Sequence, residues 1–389
     1  MKFYYIAGDV LDPESAQAIH IDEVCRALKR SGHAVTLYAP RRAGVEVPKS
    51  YETRFLTVPD VLSTVFFQLR LVIRVRRDMR AGKPDVIYVR HSLLLFMPVV
   101  IGKLFGVPVV LEVNGPLIEE SRRVDHSAQA RILRALRIFR VFESFSVRGA
   151  MRLVVVAPGI GEYLVRNYAV DPGAVVVIAN GVDAAVFMPR DVTDTRLSLG
   201  LTPDLLYVGY VGSLNSWQGV RHMIEAAGHV LAGRDGVAFL IVGTGDERGE
   251  LEALAGDMGL GATVRFLPPV AHDLVAHYVA ALDICLCYPT RFRENTTSPF
   301  KVYEYLACAK AVVLADLQGM REAFGDVVAY AAPEDPRALA EQIGRLADDR
   351  EERERLGARG LAFIRAEHTW ARVAERLVGV AESALEGRP

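Results

Sequence analysis

Short runs rich in Val and Ile, separated by helical periods, recur along nearly the whole chain, and no other feature limits its fold as much. The first series is KFYYIAG, AVTLYA, DVIYVR, PVVLEV, RLVVVA and AVVVIA; the second is LYVGYVG, VAFLIVG, TVRFL, DICLCY and AVVLAD. Runs that are apolar on both faces belong in parallel sheets covered by helices. Between them lie segments such as residues 18–30, with Ile21, Val24 and Leu28 at helical spacing and Gly32 just past the end. The pattern occurs twice without a clean sequence repeat, which predicts two doubly wound, Rossmann-like α/β domains.

The 389 residues suit two domains. Residues 187–206 hold two prolines and alternating charge, so the boundary is expected there, giving domains 1–188 and 189–369. The closing segment HTWARVAERLVGVAESALE reads as a helix with Thr369 as its cap, and helix 370–389 is expected to pack back on the first domain. Ligands of open parallel sheets bind beyond the carboxyl ends of the strands, so two such sheets are expected to face each other across a cleft.

A net charge of −1 argues against a nucleic-acid partner. The four cysteines, Cys25, Cys285, Cys287 and Cys308, lack metal-site spacing and point to a reducing, cytoplasmic setting. The opening MKFYYIAGDV reads as a strand entering a Gly turn, not as a secretory leader. The longest apolar stretch, LLLFMPVVIGKLFGVPVVLEV, is broken by Lys103, two prolines and two glycines, whereas a membrane span needs about 20 unbroken apolar residues. A soluble or at most peripheral protein is expected.

The stretch TTSPFKVYEYL, residues 296–306, carries the most chemistry. Ser298 is a good N-cap and Pro299 a good first helical residue, which leaves the N–H groups of Phe300 and Lys301 at a helix start. Such a start attracts anions, and Lys301 adds an ammonium. Glu304 shares a face with Phe300 and Lys301 and is a natural acceptor for two neighbouring hydroxyls, such as those of a ribose. The stretch therefore has parts for both ends of a nucleoside diphosphate. Ser-Pro also opens many helices that bind nothing, and Lys301 with Glu304 also reads as an exposed pair. Two further strands end in glycine loops, in GYVGSLNSWQGV and FLIVGTGDE, and a third ends in Asn180-Gly181. Such loops bring backbone N–H groups close to an anion, although a lone G-x-G is more often a tight turn.

In this order, these segments resemble the family 4 glycosyltransferases of the GT-B fold. The resemblance also rests on ALKRSGHAVTLYAP, KPDVIYVRH, FGVPVVLEVNGPLIEE, NGVDAAVFMP, SPFKVYEYLACAKAVVLAD and HTW, and covers nearly the whole chain. It implies transfer of a sugar from a nucleotide-sugar donor to an acceptor hydroxyl with retention of anomeric configuration. It also implies no cofactor and no metal, the departing diphosphate being stabilised by a helix start and protein cations. By the same resemblance, Glu304 holds the ribose, Lys301 faces the diphosphate, Gly212 lies in the loop beside it, and Val270 offers a backbone contact to the base.

The departures from the family pattern matter. Arg and Lys positions of the glycine loop hold Ser213 and Gln218, so two expected cations are absent, and Lys301 carries more of the load with Arg291 or Arg293. The Glu that contacts the donor sugar is Thr296 here; Glu294 and Thr297 are the neighbouring candidates. Asn114 replaces a frequent His, two residues after Glu112. The N-terminal glycine loop is replaced by DPESAQAIH, which places Gln17 and His20 at the cleft edge, His20 with a structural and a catalytic reading. Lys301, Asn114 and His20 form the candidate catalytic set.

On the acceptor side, residues 65–80 and 121–143 are basic and amphipathic, the latter with Arg131, Arg134, Arg137 and Arg140 at every third place. Such helices suit an anionic membrane surface, here the inner face of the membrane, and a lipid-linked acceptor; packed helices with solvated Arg rims are the alternative. A glycan or a small-molecule hydroxyl also remains open as acceptor. Two other functions stay open: a nucleotide-sugar epimerase, and a non-catalytic GT-B subunit that binds a nucleotide sugar. A nicotinamide-dependent oxidoreductase is disfavoured, since no G-x-G-x-x-G follows the first strand.

Overall fold

The computed structural model describes residues 1–11, 15–41, 50–59, 63–118, 137–296 and 298–387, apart from the side chain of Arg293. The chain divides into two compact units, Met1–Ala179 with Trp370–Pro389, and Asn180–Thr369.

The first unit holds strands β1 (Lys2–Ala7), β2 (Ala34–Arg41), β3 (Glu52–Thr57), β4 (Val86–Arg90), β5 (Val109–Val113), β6 (Arg152–Val155) and β7 (Val175–Val177). They lie in the order β3-β2-β1-β4-β5-β6-β7, every pairing parallel. Helices α1 (Ala16–Arg30), α2 (Ser63–Ala81), α3 (Met97–Phe105), α4 (Ile138–Gly149) and α5 (Pro158–Tyr168) cover it. Ser15 caps α1, its hydroxyl accepting from the Ala18 N–H at 3.2 Å, so the helix starts two residues before the expected 18. Past its end Gly32 takes φ +85°, a left-handed turn that ordinary residues resist.

The second unit holds β8 (Leu206–Val211), β9 (Val237–Val242), β10 (Val264–Leu267), β11 (Ile284–Cys287), β12 (Ala311–Ala315) and β13 (Ala329–Ala331), again parallel, in the order β10-β9-β8-β11-β12-β13. Its helices are α6 (Val192–Ser198), α7 (Val220–Leu231), α8 (Arg248–Asp257), α9 (His272–Ala281), α10 (Phe300–Ala307), α11 (Gln318–Phe324), α12 (Pro336–Asp348) and α13 (Arg350–Glu367). The last helix, α14 (Trp370–Glu386), belongs to the first unit and packs on α1, β4 and β5.

Both sheets are doubly wound, and each reverses its strand order once, between β1 and β4 and between β8 and β11. Those reversals place open crevices at the carboxyl edges. Two strands were not expected from sequence. β3 is an edge strand, ETRFLT, with charged residues and a mostly half-buried surface; β13 is three residues long. Neither makes the apolar run that marks a central strand. The division after Ala179 also precedes the expected 187–206 boundary. Residues 180–187 are tied into the second unit: Asn180 Nδ2 donates to the Ser298 carbonyl at 2.7 Å, Val182 N–H to the His368 carbonyl at 2.9 Å, and buried Phe187 lies 5.5 Å from the His272 ring. No helix among the described residues is long and apolar enough to cross a membrane.

Candidate functional site

In the second unit, the loop after β8 and the start of α10 meet. The Lys301 ammonium lies 2.5 Å from the Tyr210 hydroxyl, 3.1 Å from Gln218 Oε1 and 4.0 Å from the centre of the Tyr210 ring. The Tyr210 hydroxyl donates onward to the Ser213 carbonyl at 2.7 Å, and Gln218 Nε2 donates to Ser213 Oγ at 3.4 Å. Gly212 holds φ +151°, and a Cβ there would stand 2.6 Å from Lys301 Nζ. A side chain there would push the ammonium from where it sits and strain the backbone.

The structure thus joins Gly212, Ser213, Gln218 and Lys301. The two residues that replace expected cations serve instead as the polar bed of the remaining one. An ammonium has three donors, and two are used; the third has no partner among the described residues. Burial lowers the Lys301 pKa to about 8, against an opposing pull from Cys287 and Glu304. The G-x-G after β9 is a packing device: a Cβ on Gly243 would run into the Gly212 carbonyl oxygen, and one on Gly245 into the Leu214 backbone.

The start of α10 differs from the expected cap. Pro299, at φ −74° and ψ 114°, is the N-cap, and no side chain caps the helix. The Ser298 hydroxyl is engaged elsewhere, 3.3 Å from the Asn180 N–H and 3.1 Å from the Tyr303 hydroxyl. Phe300 and Lys301 open the first turn. One turn further, Glu304 is buried and its Oε1 lies 2.9 Å from His272 Nε2. Val270, half-buried after β10, is two residues before His272.

Arg291 does not join Lys301. Its side chain faces Glu334 at 4.0 Å and its N–H bonds the same carboxylate at 3.2 Å. Glu294 and Thr296 sit half-buried on the turn before α10, where the Glu294 carbonyl accepts from the Gly319 N–H at 3.2 Å. Thr297 and the Arg293 side chain lie outside what is described.

In the first unit, one carboxylate gathers the polar residues of the carboxyl edge. Glu112, on β5, accepts at Oε1 from Arg90 Nη1 at 2.8 Å and Asn114 Nδ2 at 2.6 Å, and its Oε1 is 2.7 Å from His20 Nε2. At Oε2 it accepts from the hydroxyls of Tyr88 at 2.8 Å and Tyr5 at 3.2 Å. Burial alone would raise this carboxyl, but His20 and Arg90, with the Asn114 hydrogen bond, hold it well below the usual carboxylate range. Since that carboxylate only accepts, the Asn114 amide must turn its NH2 inward, which leaves Oδ1 as its outward acceptor.

His20 is not at an open edge. It is 4% exposed, with Nε2 against the Glu112 carboxylate and the ring edge-on to Trp370 at 5.5 Å, so its place is that of a buried neighbour of that carboxylate. Gln17 donates to Asp9 Oδ2 at 2.7 Å, as does Ser92. Sequence reasoning missed Tyr210 and His272 entirely. For the first unit's network, the lone Glu inside the apolar run PVVLEV was the available signal, because a buried charge needs partners.

Of the two basic segments, α2 exposes Val65, Phe66, Leu69 and Ile73 as well as Arg70, Arg76, Arg77 and Arg80. In the other, Arg131 and Arg134 lie outside the described residues, while Arg137, Arg140 and Val141 are exposed around buried Phe139. Among the described residues no group of three or more His, Cys, Asp or Glu could hold a metal ion.

Residues 17–186 match the family described as Glycosyltransferase Family 4, and residues 206–349 match Glycosyl transferases group 1. A D-inositol 3-phosphate glycosyltransferase of Geodermatophilus obscurus is 32% identical over 251 residues, covering 62% of this chain and 54% of that protein. The match thus spans about half of that relative. Among solved structures, a sucrose-phosphate synthase from Thermosynechococcus elongatus superposes with a TM-score of 0.75 at 19% identity, covering 99% of this chain and 100% of that one. Anabaena Alr3699/HepE, solved in complex with UDP, gives 0.75 at 18% identity, covering 98% and 100%. At these identities the structural likeness is one of fold.

Proposed function

Because the chain belongs to the family 4 glycosyltransferases of the GT-B fold, we propose that it transfers a sugar from a nucleoside diphosphate sugar to an acceptor hydroxyl, with retention and without a metal. The observation that carries this reading is the Lys301 ammonium, packed on the Gly212 loop with one donor open. In the transition state the bond from the anomeric carbon to the diphosphate oxygen breaks, and negative charge grows on that oxygen. A fixed ammonium in a partly buried site stabilises the growing charge more than the ground state. The acceptor oxygen bonds the anomeric carbon on the same face, and the leaving phosphate takes the acceptor proton, so no strong protein base is required.

Glu304 holds the ribose hydroxyls, Gly212, Ser213 and Gln218 line the diphosphate with the first turn of α10, and Val270 borders the base. Glu294 and Thr296, with Thr297, are assigned to the donor sugar. In the first unit, Asn114 offers Oδ1 to the acceptor hydroxyl, and Glu112 with His20 and Arg90 fixes its direction. UDP is the first nucleotide to test, since the Anabaena structure holds it. An acceptor carried on an anionic lipid surface fits the exposed face of α2.

The experiment is a thermal-stabilisation screen with UDP-, GDP-, ADP- and dTDP-sugars, followed by product analysis of the donor that stabilises most. Stabilisation with Lys301-dependent transfer or donor hydrolysis supports the reading; no stabilisation by any donor rejects it. A second reading has one observation in its favour: with Ser213 and Gln218 in place of cations, Lys301 is the one cation at this loop among the described residues. Tight nucleotide binding without turnover would make the chain a binding subunit, and an altered sugar without an acceptor would make it an epimerase.

A further inference from the structure

Glu304 is held by one partner that the reaction itself does not call for. Its Oε1 lies 2.9 Å from Nε2 of His272, the first residue of α9, 32 residues earlier in the chain. An ionised carboxylate only accepts hydrogen bonds, so the hydrogen in this contact sits on His272 Nε2. Glu304 Oε2 has no hydrogen bond to any described residue. The two groups are unequally placed: the carboxylate side chain is 11% exposed and the imidazole 38%. Around Glu304 the helix is immobilised by buried Val302, Tyr303, Tyr305 and Leu306. The imidazole ring is itself backed by Phe187 at 5.5 Å.

A carboxylate offers about four lone-pair positions. His272 takes one of them and thereby fixes the plane of the group. What remains, Oε2 and the second lone pair of Oε1, is a rigid pair of acceptors side by side. That arrangement matches two neighbouring hydroxyls and is left half-unpaired by a sugar that has only one. A buried site built to bond a hydroxyl rejects the analogue that lacks it, because its own polar group then goes unsatisfied. Without His272 the carboxylate is free to rotate towards water, and the mismatch costs little.

We propose that His272 sets the preference of this chain for ribonucleotides over 2′-deoxyribonucleotides by locking the Glu304 carboxylate. The proposal rests on the reading of Glu304 as the ribose ligand. His272 is a positioning residue, since it acts through Glu304.

The test is titration calorimetry of UDP and 2′-deoxy-UDP against wild type, His272→Ala and His272→Gln; if ADP or GDP binds more tightly, it is used with its 2′-deoxy form. Wild type should prefer the ribonucleotide. H272A should lose about tenfold of that preference, with the deoxynucleotide affinity nearly unchanged. H272Q keeps an N–H donor and should restore most of it. The half-exposed position of His272 lets both variants fold, which unliganded melting curves check. Equal affinity of wild type for the two forms overturns the proposal, as does a preference in H272A identical to that of wild type. An equal weakening of both ligands by H272A also overturns it, since a merely structural role gives that result. Binding of none of UDP, ADP and GDP by wild type defeats the reading of the site, and this proposal with it.

Discussion

Lys301 and Tyr210 form a stacked and hydrogen-bonded pair: the ammonium is 2.5 Å from the phenol oxygen and 4.0 Å from the ring centre. The contact joins the first turn of α10 to the end of β8, 91 residues apart in sequence. It anchors the cation without neutralising it, because a phenol is a dipole and a π-face, not a counter-charge. The positive charge therefore remains available to an anion.

Lys301→Ala is expected to lower kcat by about 10²–10³ while changing donor KM far less, since charge builds up only in the transition state. With its pKa lowered to about 8 by burial, the ammonium is present below that pH and lost above it. The wild-type kcat/KM should fall as pH rises through about 8, and K301A should lack that alkaline limb. Steady-state kinetics from pH 6 to 10 checks both; equal losses in kcat and 1/KM would count against the role.

Tyr210→Phe keeps the ring and removes the hydroxyl that accepts from Lys301 and donates to Ser213. The ammonium then loses a polar neighbour while staying buried, which favours its neutral form. The alkaline limb should move to lower pH, with turnover at pH 7 reduced by about tenfold or less. An unmoved limb would mean that the hydroxyl does not tune the cation.

Glu112→Gln leaves His20 and Arg90 facing a neutral amide. Breaking one side of a buried charge cluster costs of order 3 kcal/mol. The folded-state pKa of Glu112 is depressed, so its contribution is present above the unfolded value of about 4.3 and is lost as pH falls towards the folded one. The stability gap between wild type and E112Q should be widest near pH 7 and narrow below pH 4. Urea unfolding at both pH values measures it; a gap independent of pH would place the cost in packing.

The central strands and the glycine loop beside Lys301 were legible because both follow from local pattern: apolar runs mark central strands, and a glycine at a strand end marks the loop that must approach something. The contacts that finish the sites were not. Tyr210 and His272 reach α10 from 91 and 32 residues away, and Glu112 collects Tyr5 from 107 away, since a parallel sheet sets distant segments side by side. Nothing in a local window says which tyrosine will stand beside which lysine. Ser298 shows the converse. Its sequence context favours a cap, yet a tertiary partner, Asn180, 118 residues earlier, claims its hydroxyl. Strands β3 and β13 escaped because edge strands have no need of an unbroken apolar run.

Helix α2 should bind anionic lipid. Phe67, Leu71, Val75 and Met79 face the core, yet the opposite side is also apolar for its first turns: Val65, Phe66, Leu69 and Ile73 are exposed, Ile73 at 72%. At 100° per residue, Arg76, Arg77 and Arg80 continue that same exposed face towards the carboxyl end. The one acid of the helix, Asp78, is turned to Arg54, Arg74 and the Tyr38 hydroxyl. An apolar face of this kind, extended by arginines, matches a helix lying in the plane of a membrane surface, where each basic residue contributes about 1 kcal/mol on an anionic bilayer. The protein should sediment with vesicles of phosphatidylglycerol and phosphatidylcholine and far less with phosphatidylcholine alone. Leu69→Asp with Ile73→Asp should abolish binding, and Arg76→Glu with Arg77→Glu should remove its salt-sensitive part. Unchanged sedimentation of the aspartate variant would rule this face out, and a dimer that the same variant dissolves would assign it to a second copy of the chain.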